Sequence, residues 1–139
     1  MRVYGRVYRE GKQWLAEIPL LDAMTQGRTR KEAFSMAADL VETLVGKVGF
    51  KARVYPGRGG DFELGASPTR LLIALLLRRQ REASGLSLAE VARRLGAKSR
   101  NTYARYEQGV SVPTIEKLNE LLQVVTSGRE VVLRLSSAA

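Results

Sequence analysis

The chain has 139 residues, enough for one ordinary domain or two small ones, and 45% of them are hydrophobic, so it can bury a core. It contains no cysteine and no histidine, which excludes disulfide frameworks, the usual zinc sites and histidine-based nucleophilic triads. Its formal charge is +9, a balance that favours acidic partners but does not by itself separate a nucleic-acid binder from a well-solvated surface.

The charge is unevenly spread. Residues 1–64 hold 11 Lys/Arg against 8 Asp/Glu, whereas residues 65–139 hold 12 against 6. Residues 70–105 alone carry nine basic and two acidic side chains, a local excess of the kind that phosphate attraction requires. Met1 leads directly into an alternating pattern with no stretch resembling a secretory signal, so a cytoplasmic protein is expected. The longest apolar run, Leu71 through Leu77, is far too short to span a membrane.

Residues 2–9 (RVYGRVYR) alternate loosely and are rich in Val and Tyr, which predicts a strand. Glu10-Gly11-Lys12 is a turn, and residues 13–18 (QWLAEI) read as the partner strand of a hairpin. Pro19 stops that strand because it cannot continue the ladder. Residues 21–25 are a candidate third strand, ended by Gly27. Thr29 with Glu32 three residues on predicts a capping box. The helix that follows runs to about Val45, its stripe formed by Ala33, Phe34, Ala37, Leu40, Val41 and Leu44. Residues 50–55 are a candidate fourth strand, and residues 62–64 either a short return strand or the start of a linker. Gly65-Ala66-Ser67 reads as linker.

This first half, and in particular the run MTQGRTRKEAFSMAADLVETL behind a hairpin, resembles the N-terminal domain of HicB-type antitoxins. The resemblance covers roughly residues 3–50 and rests on Thr25-Gln26-Gly27, Thr29, Glu32 and Ala33. It implies a degenerate relative of the ribonuclease H fold that kept the architecture without the catalytic set. Ribonuclease H chemistry needs several carboxylates converging on two metal ions. The available acids are Glu10, Glu17, Asp22, Glu32, Asp39, Glu42, Asp61 and Glu63. Asp39 and Glu42 share a helix, but a solvated helix face explains them more simply. No catalytic residue, metal ligand or cofactor site is therefore expected, and the domain reads as a binding module rather than an enzyme.

The second half opens at Ser67-Pro68, with Ser67 as cap and Pro68 at the first helical position, and a helix runs to about Ser84. Its apolar residues lie on two faces, which predicts burial against a second surface, either the N-terminal domain or another copy. Gln80 falls on the inward side, where a leucine would fit the pattern. Ser87 and Glu90 form a second capping box, followed by Val91, Ala92 and Leu95 at helical spacing. Gly96 closes that helix. Ser99 caps another, which Gly109 ends. Thr114 caps a last helix with apolar positions Ile115, Leu118, Leu121 and Leu122. Residues 130–135 (EVVLRL) alternate weakly and predict a terminal strand that must join a sheet in its own chain or in a partner.

SLAEVARRLG, SRNTYARYEQG and VPTIEKL in that order resemble the helix-turn-helix of the phage-repressor-like family, whose second helix lies in the DNA major groove. Tyr106-Glu107-Gln108-Gly109 is the most specific part of the likeness. Leu88 departs from it, standing where many members carry a Gln that touches the DNA backbone. The Gly96–Ser99 turn is one residue longer than usual, which shifts the register of the base-reading residues by about one position. The resemblance implies that Arg100, Asn101 and Arg105 read bases or grip phosphates and that Ser99, Thr102 and Tyr103 add contacts. Lys98, Arg93, Arg94 and Arg79 suit phosphates, and Ser87 is a further candidate DNA contact. Tyr106 is expected to pack on the core.

These readings predict an α+β chain. Residues 1–64 form a small antiparallel sheet with one helix, the HicB-like, degenerate ribonuclease H-like part. Residues 65–139 form an all-α helix-turn-helix domain of four helices with a short C-terminal strand. The expected function is that of an antitoxin that binds a small HicA-type mRNA-cleaving toxin and represses its own operon as a dimer or higher homo-oligomer on double-stranded operator DNA. The alternatives are a stand-alone transcriptional regulator whose first domain senses a ligand or dimerises, and a metal-dependent nuclease directed by its helix-turn-helix.

Overall fold

A computed structural model describes residues 1–136. The chain divides into two compact units, Met1–Leu72 joined by Leu135 and Ser136, and Ile73–Arg134. In the first, β1 (Arg2–Glu10), β2 (Gln13–Ile18), β3 (Ala23–Gly27), β4 (Lys51–Pro56) and β5 (Asp61–Ser67) form one antiparallel sheet in the order β3-β2-β1-β5-β4. Helix α1 (Arg30–Val45) connects β3 to β4.

The period of two along β1 sends Val3, Gly5 and Val7 to one face and Arg2, Tyr4, Arg6 and Tyr8 to the other. The first face, with Ala16, Ile18, Phe62 and Leu64, is buried, as are Ala33, Ala37 and Val41 of α1. Phe34 meets the edge of Phe62 with ring centroids 5.5 Å apart. The second face remains partly open, and there the Arg2 guanidinium lies 3.5 Å from the centre of the Tyr55 ring. Gly27 is required where β3 turns into α1, because a Cβ there would stand 2.5 Å from the Ala33 backbone nitrogen. Thr29 caps α1 as expected, accepting from the Glu32 N–H at 3.0 Å. The return arm differs from a capping box, since the Glu32 carboxylate accepts from Arg28 N–H at 3.1 Å.

The sheet has five strands, and Gly65-Ala66-Ser67 is not linker but the end of β5. The segment has little strand propensity of its own, yet it lies between β1 and β4: Gly65 pairs with Arg2 and Arg53, and Ser67 with Lys51. Pairing overrides composition, with Gly65 held on both sides and Ala66 and Ser67 held by β4. Ser67 is accordingly a strand residue rather than a helix cap, and α2 (Thr69–Ala83) starts after a cis Ser67–Pro68 peptide.

The second unit contains the rest of α2, then α3 (Leu88–Arg94), α4 (Arg100–Glu107) and α5 (Ile115–Val125). Leu71 through Leu77 are all buried. Gln80 is buried too, and its Oε1 accepts from the Arg129 guanidinium at 3.1 Å, which accounts for a polar side chain on an inward position. Along α5, Leu121, Leu122 and Val125 are buried, whereas Ile115, placed among the inward positions by the spacing, is exposed because it occupies the first turn. The predicted terminal strand does not form within the single chain: residues 129–136 pair with no strand among the described residues.

Candidate nucleic-acid interface

The two helices of the turn motif are held at their ends by local chemistry. At α3, Ser87 Oγ accepts from the Glu90 N–H at 3.1 Å and the Glu90 carboxylate accepts from the Ser87 N–H at 2.7 Å, a complete capping box. That backbone hydrogen bond is the main reason the Glu90 carboxyl is held below its usual range. Gly96 takes φ +68°, a left-handed conformation that L side chains rarely adopt. The Ala97 N–H then reaches the Ala92 carbonyl and the Gly96 N–H the Arg93 carbonyl, at 2.9 and 3.0 Å. This is the Schellman pattern, and it turns the chain sharply out of α3. Two residues later Ser99 caps α4, accepting from the Asn101 N–H at 3.1 Å. The same pattern closes α4, through Gly109 N–H to Tyr106 and Val110 N–H to Arg105, both at 3.1 Å.

Tyr103 and Ala104 are buried and form the inward face of α4 together with Glu107, so the helix presents Arg100, Asn101, Thr102 and Arg105 outward. Ser87, Arg93, Lys98 and Ser99 are also exposed, as is Arg94. These side chains place five cationic groups, Arg93, Arg94, Lys98, Arg100 and Arg105, on the exterior of one short turn motif. Arg105 is partly engaged, its Nε donating to Ser111 Oγ at 3.3 Å. Arg79 lies close to Glu82 at 3.5 Å and is more enclosed than the rest.

Tyr103 is the correction among the sequence-predicted contacts. Its side chain is 1% exposed and belongs to the core, while Tyr106, expected inside, is half-buried. Burial, with the Glu107 charge second, pushes the Tyr103 phenol well above its ordinary value, and its hydroxyl has no hydrogen-bond partner among the described residues. The inward face runs through positions 103, 104 and 107, and three residues along a helix is a rotation of nearly a full turn, so the two tyrosines differ only in which edge of that face they occupy.

Sequence reasoning did not find the ion pair beneath the motif. Arg81, in the last turn of α2, donates from Nε and Nη2 to the two oxygens of Glu107 at 2.6 and 3.0 Å, and from Nη1 to the Leu86 carbonyl at 2.9 Å. Both side chains are largely buried, 14% and 7% exposed. The fork therefore ties the end of α4 to α2 and to the turn before α3. Charged residues on both helices were the available signal, but 26 positions separate Arg81 from Glu107, and only the fold pairs them.

Residues 72–135 match a family model described as a helix-turn-helix domain. The C-terminal part of this chain is a helix-turn-helix domain. The match begins within α2 and extends past α5, so it includes the α3–α4 pair whose outward face is cationic. A helix-turn-helix domain suggests a DNA-binding regulator. No curated protein matches the chain.

In the first unit several carboxylates are engaged in the fold. Glu17 accepts from Arg6 at 2.7 Å, Asp61 from the Tyr4 hydroxyl at 2.8 Å, and Glu63 from Arg2 at 3.3 Å and from Ser136. Glu42 is not simply solvated, because it accepts the Ala52 N–H of β4 at 2.9 Å. Among the described residues no three acidic groups converge as a metal site would need, and no helix is long and apolar enough to cross a membrane.

Proposed function

We propose that this chain is a HicB-type antitoxin, a binding protein rather than an enzyme, whose helix-turn-helix domain represses its own operon while its first unit neutralises a small HicA-type mRNA-cleaving toxin. The observation that carries the DNA half is the outward face of α4. Arg100, Asn101 and Thr102 stand exposed at its start, with Lys98 and Ser99 just ahead, on a helix whose inner face is fixed by Tyr103 and the Arg81–Glu107 fork. A helix so mounted meets a major groove with its N-terminal residues first.

Support for the toxin-binding half is the Thr25-Gln26-Gly27 corner leading into the Thr29-capped helix, packed so closely that only glycine fits at its apex. The outward sheet face adds exposed Tyr4, Tyr8 and Met24, residue types enriched at protein interfaces. Two-fold operators call for a homodimer, because one recognition helix contributes too little for high affinity.

Two measurements test this. Arg100→Ala combined with Asn101→Ala lowers affinity for DNA taken from ahead of the gene by roughly 5- to 150-fold per lost base contact, at about 1–3 kcal/mol each, with the thermal midpoint unchanged. Unchanged binding by the folded variant removes the recognition-helix assignment. Coexpression with a small toxin encoded beside the gene is expected to yield a stable complex formed by the first unit. If no such protein is encoded there, or if it does not bind, a stand-alone regulator is the reading that remains.

A further inference from the structure

The stretch that follows α5 has no role in the helix-turn-helix motif. Residues 130–135 (Glu-Val-Val-Leu-Arg-Leu) form neither helix nor paired strand in the single chain. Val132 and Leu133 are each 83% exposed and Leu135 95%, with Val131 at 42%. Four large aliphatic side chains in six residues are a costly surface for a solvated tail. Both ends of the stretch are held: Arg129 bonds Gln80 at 3.1 Å, and Ser136 accepts from Arg2 at 3.1 Å.

The order of its side chains is self-complementary. In extended form Glu130, Val132 and Arg134 share one face, and Val131, Leu133 and Leu135 the other. An antiparallel pairing with an identical segment, with Val132 on a two-fold axis, places Glu130 opposite Arg134 twice and Val131 opposite Leu133 twice. A register shifted by one residue mixes the charged and aliphatic faces, and a shift by two sets Val132 against Arg134. Parallel pairing brings like charges together, which is unfavourable. Only the first arrangement sets Glu130 against Arg134 at both positions and Val131 against Leu133, with Leu135 beyond the paired positions, and it has the isologous symmetry of a closed dimer.

We propose that residues 130–135 are a dimerisation strand whose partner is the same segment of a second copy of this chain, in the register that centres on Val132. The inference deepens the two-fold operator reading by naming the contact between protomers, but its geometry involves no DNA. Two strands alone are marginally stable, so the dimer is weak and concentration-dependent, and paired half-sites on DNA strengthen it.

Sedimentation of the full chain without DNA tests the register. The parent chain dimerises as its concentration rises. Glu130→Arg, which sets arginine against Arg134 on both sides of the axis, raises the dimer dissociation constant by about 10-fold. Glu130→Arg with Arg134→Glu restores it to within about 3-fold, because the swap recreates both pairs. The chain lacks cysteine, so Val132→Cys supplies a single thiol at the axis, where oxidation links two chains. Val131→Cys and Leu133→Cys, each displaced from its own symmetry mate by roughly 7–8 Å, link far more slowly. A monomer at every concentration, a double variant no better than the single one, or cross-linking at 131 that matches 132 overturns the proposal. Because no DNA is present, either result leaves the operator measurement to be decided separately.

Discussion

Tyr103 and Tyr106 lie three residues apart on one helix, and their different environments illustrate how a single position decides a side chain's use. Tyr103 fills the core and brings a buried hydroxyl with no partner. Removing an unsatisfied polar atom while keeping the ring is expected to be neutral or stabilising, so Tyr103→Phe should gain up to about 1 kcal/mol in urea denaturation. The same substitution has a pH signature. The folded state keeps the phenol protonated above its ordinary value of 10.0, where the unfolded chain has released the proton. The parent chain therefore loses stability as pH rises beyond that value, and Tyr103→Phe lacks this component. Equal slopes for both proteins between pH 9 and 11 would contradict the buried assignment. Glu107→Ala acts in the opposite sense, because it leaves the Arg81 guanidinium enclosed without its countercharge. A loss of about 3–5 kcal/mol is expected, and replacing both partners by apolar residues should cost less than replacing one.

At the scale of elements, local signals were the readable ones. Ser87, Thr29, Ser99 and Thr114 each cap the helix that the sequence assigned to them, since a cap needs only its own residue and the next two or three. Strand β5 was only half legible, because Gly65-Ala66-Ser67 becomes a strand through pairing with β4, and at Gly65 with β1 as well, rather than through its own composition. The β3–α1 corner gives a sharp test. Gly27→Ala drives a methyl group into the Ala33 backbone nitrogen, which no side-chain rotation relieves. The first unit should lose about 2–3 kcal/mol, read as a lower thermal midpoint, whereas Gly11→Ala in the open hairpin turn strains only its own φ and costs less.

For the whole molecule, the +9 charge matters through its placement. Arg93, Arg94, Lys98, Arg100 and Arg105 are exposed around the turn motif, so DNA binding should weaken steeply with salt. Lys98→Ala is expected to reduce the slope of log affinity against log salt by about one and to weaken all sequences alike, unlike the Arg100 and Asn101 changes. Anisotropy titrations at several salt concentrations measure this, and an unchanged slope would place Lys98 away from the phosphates.

The amino-acid sequence by itself determined most of the order of elements, the helix ends other than the start of α2, and the basic concentration around residues 70–105, because caps, periodicity and composition act over a few neighbouring residues. Only the tertiary structure decided that Arg81 meets Glu107, that Gln80 is answered by Arg129, that β5 is a central strand and that Tyr103 faces inward. Each of those depends on groups far apart in the chain, and which of them meet is set by how whole helices and strands pack, a constraint that no local pattern contains.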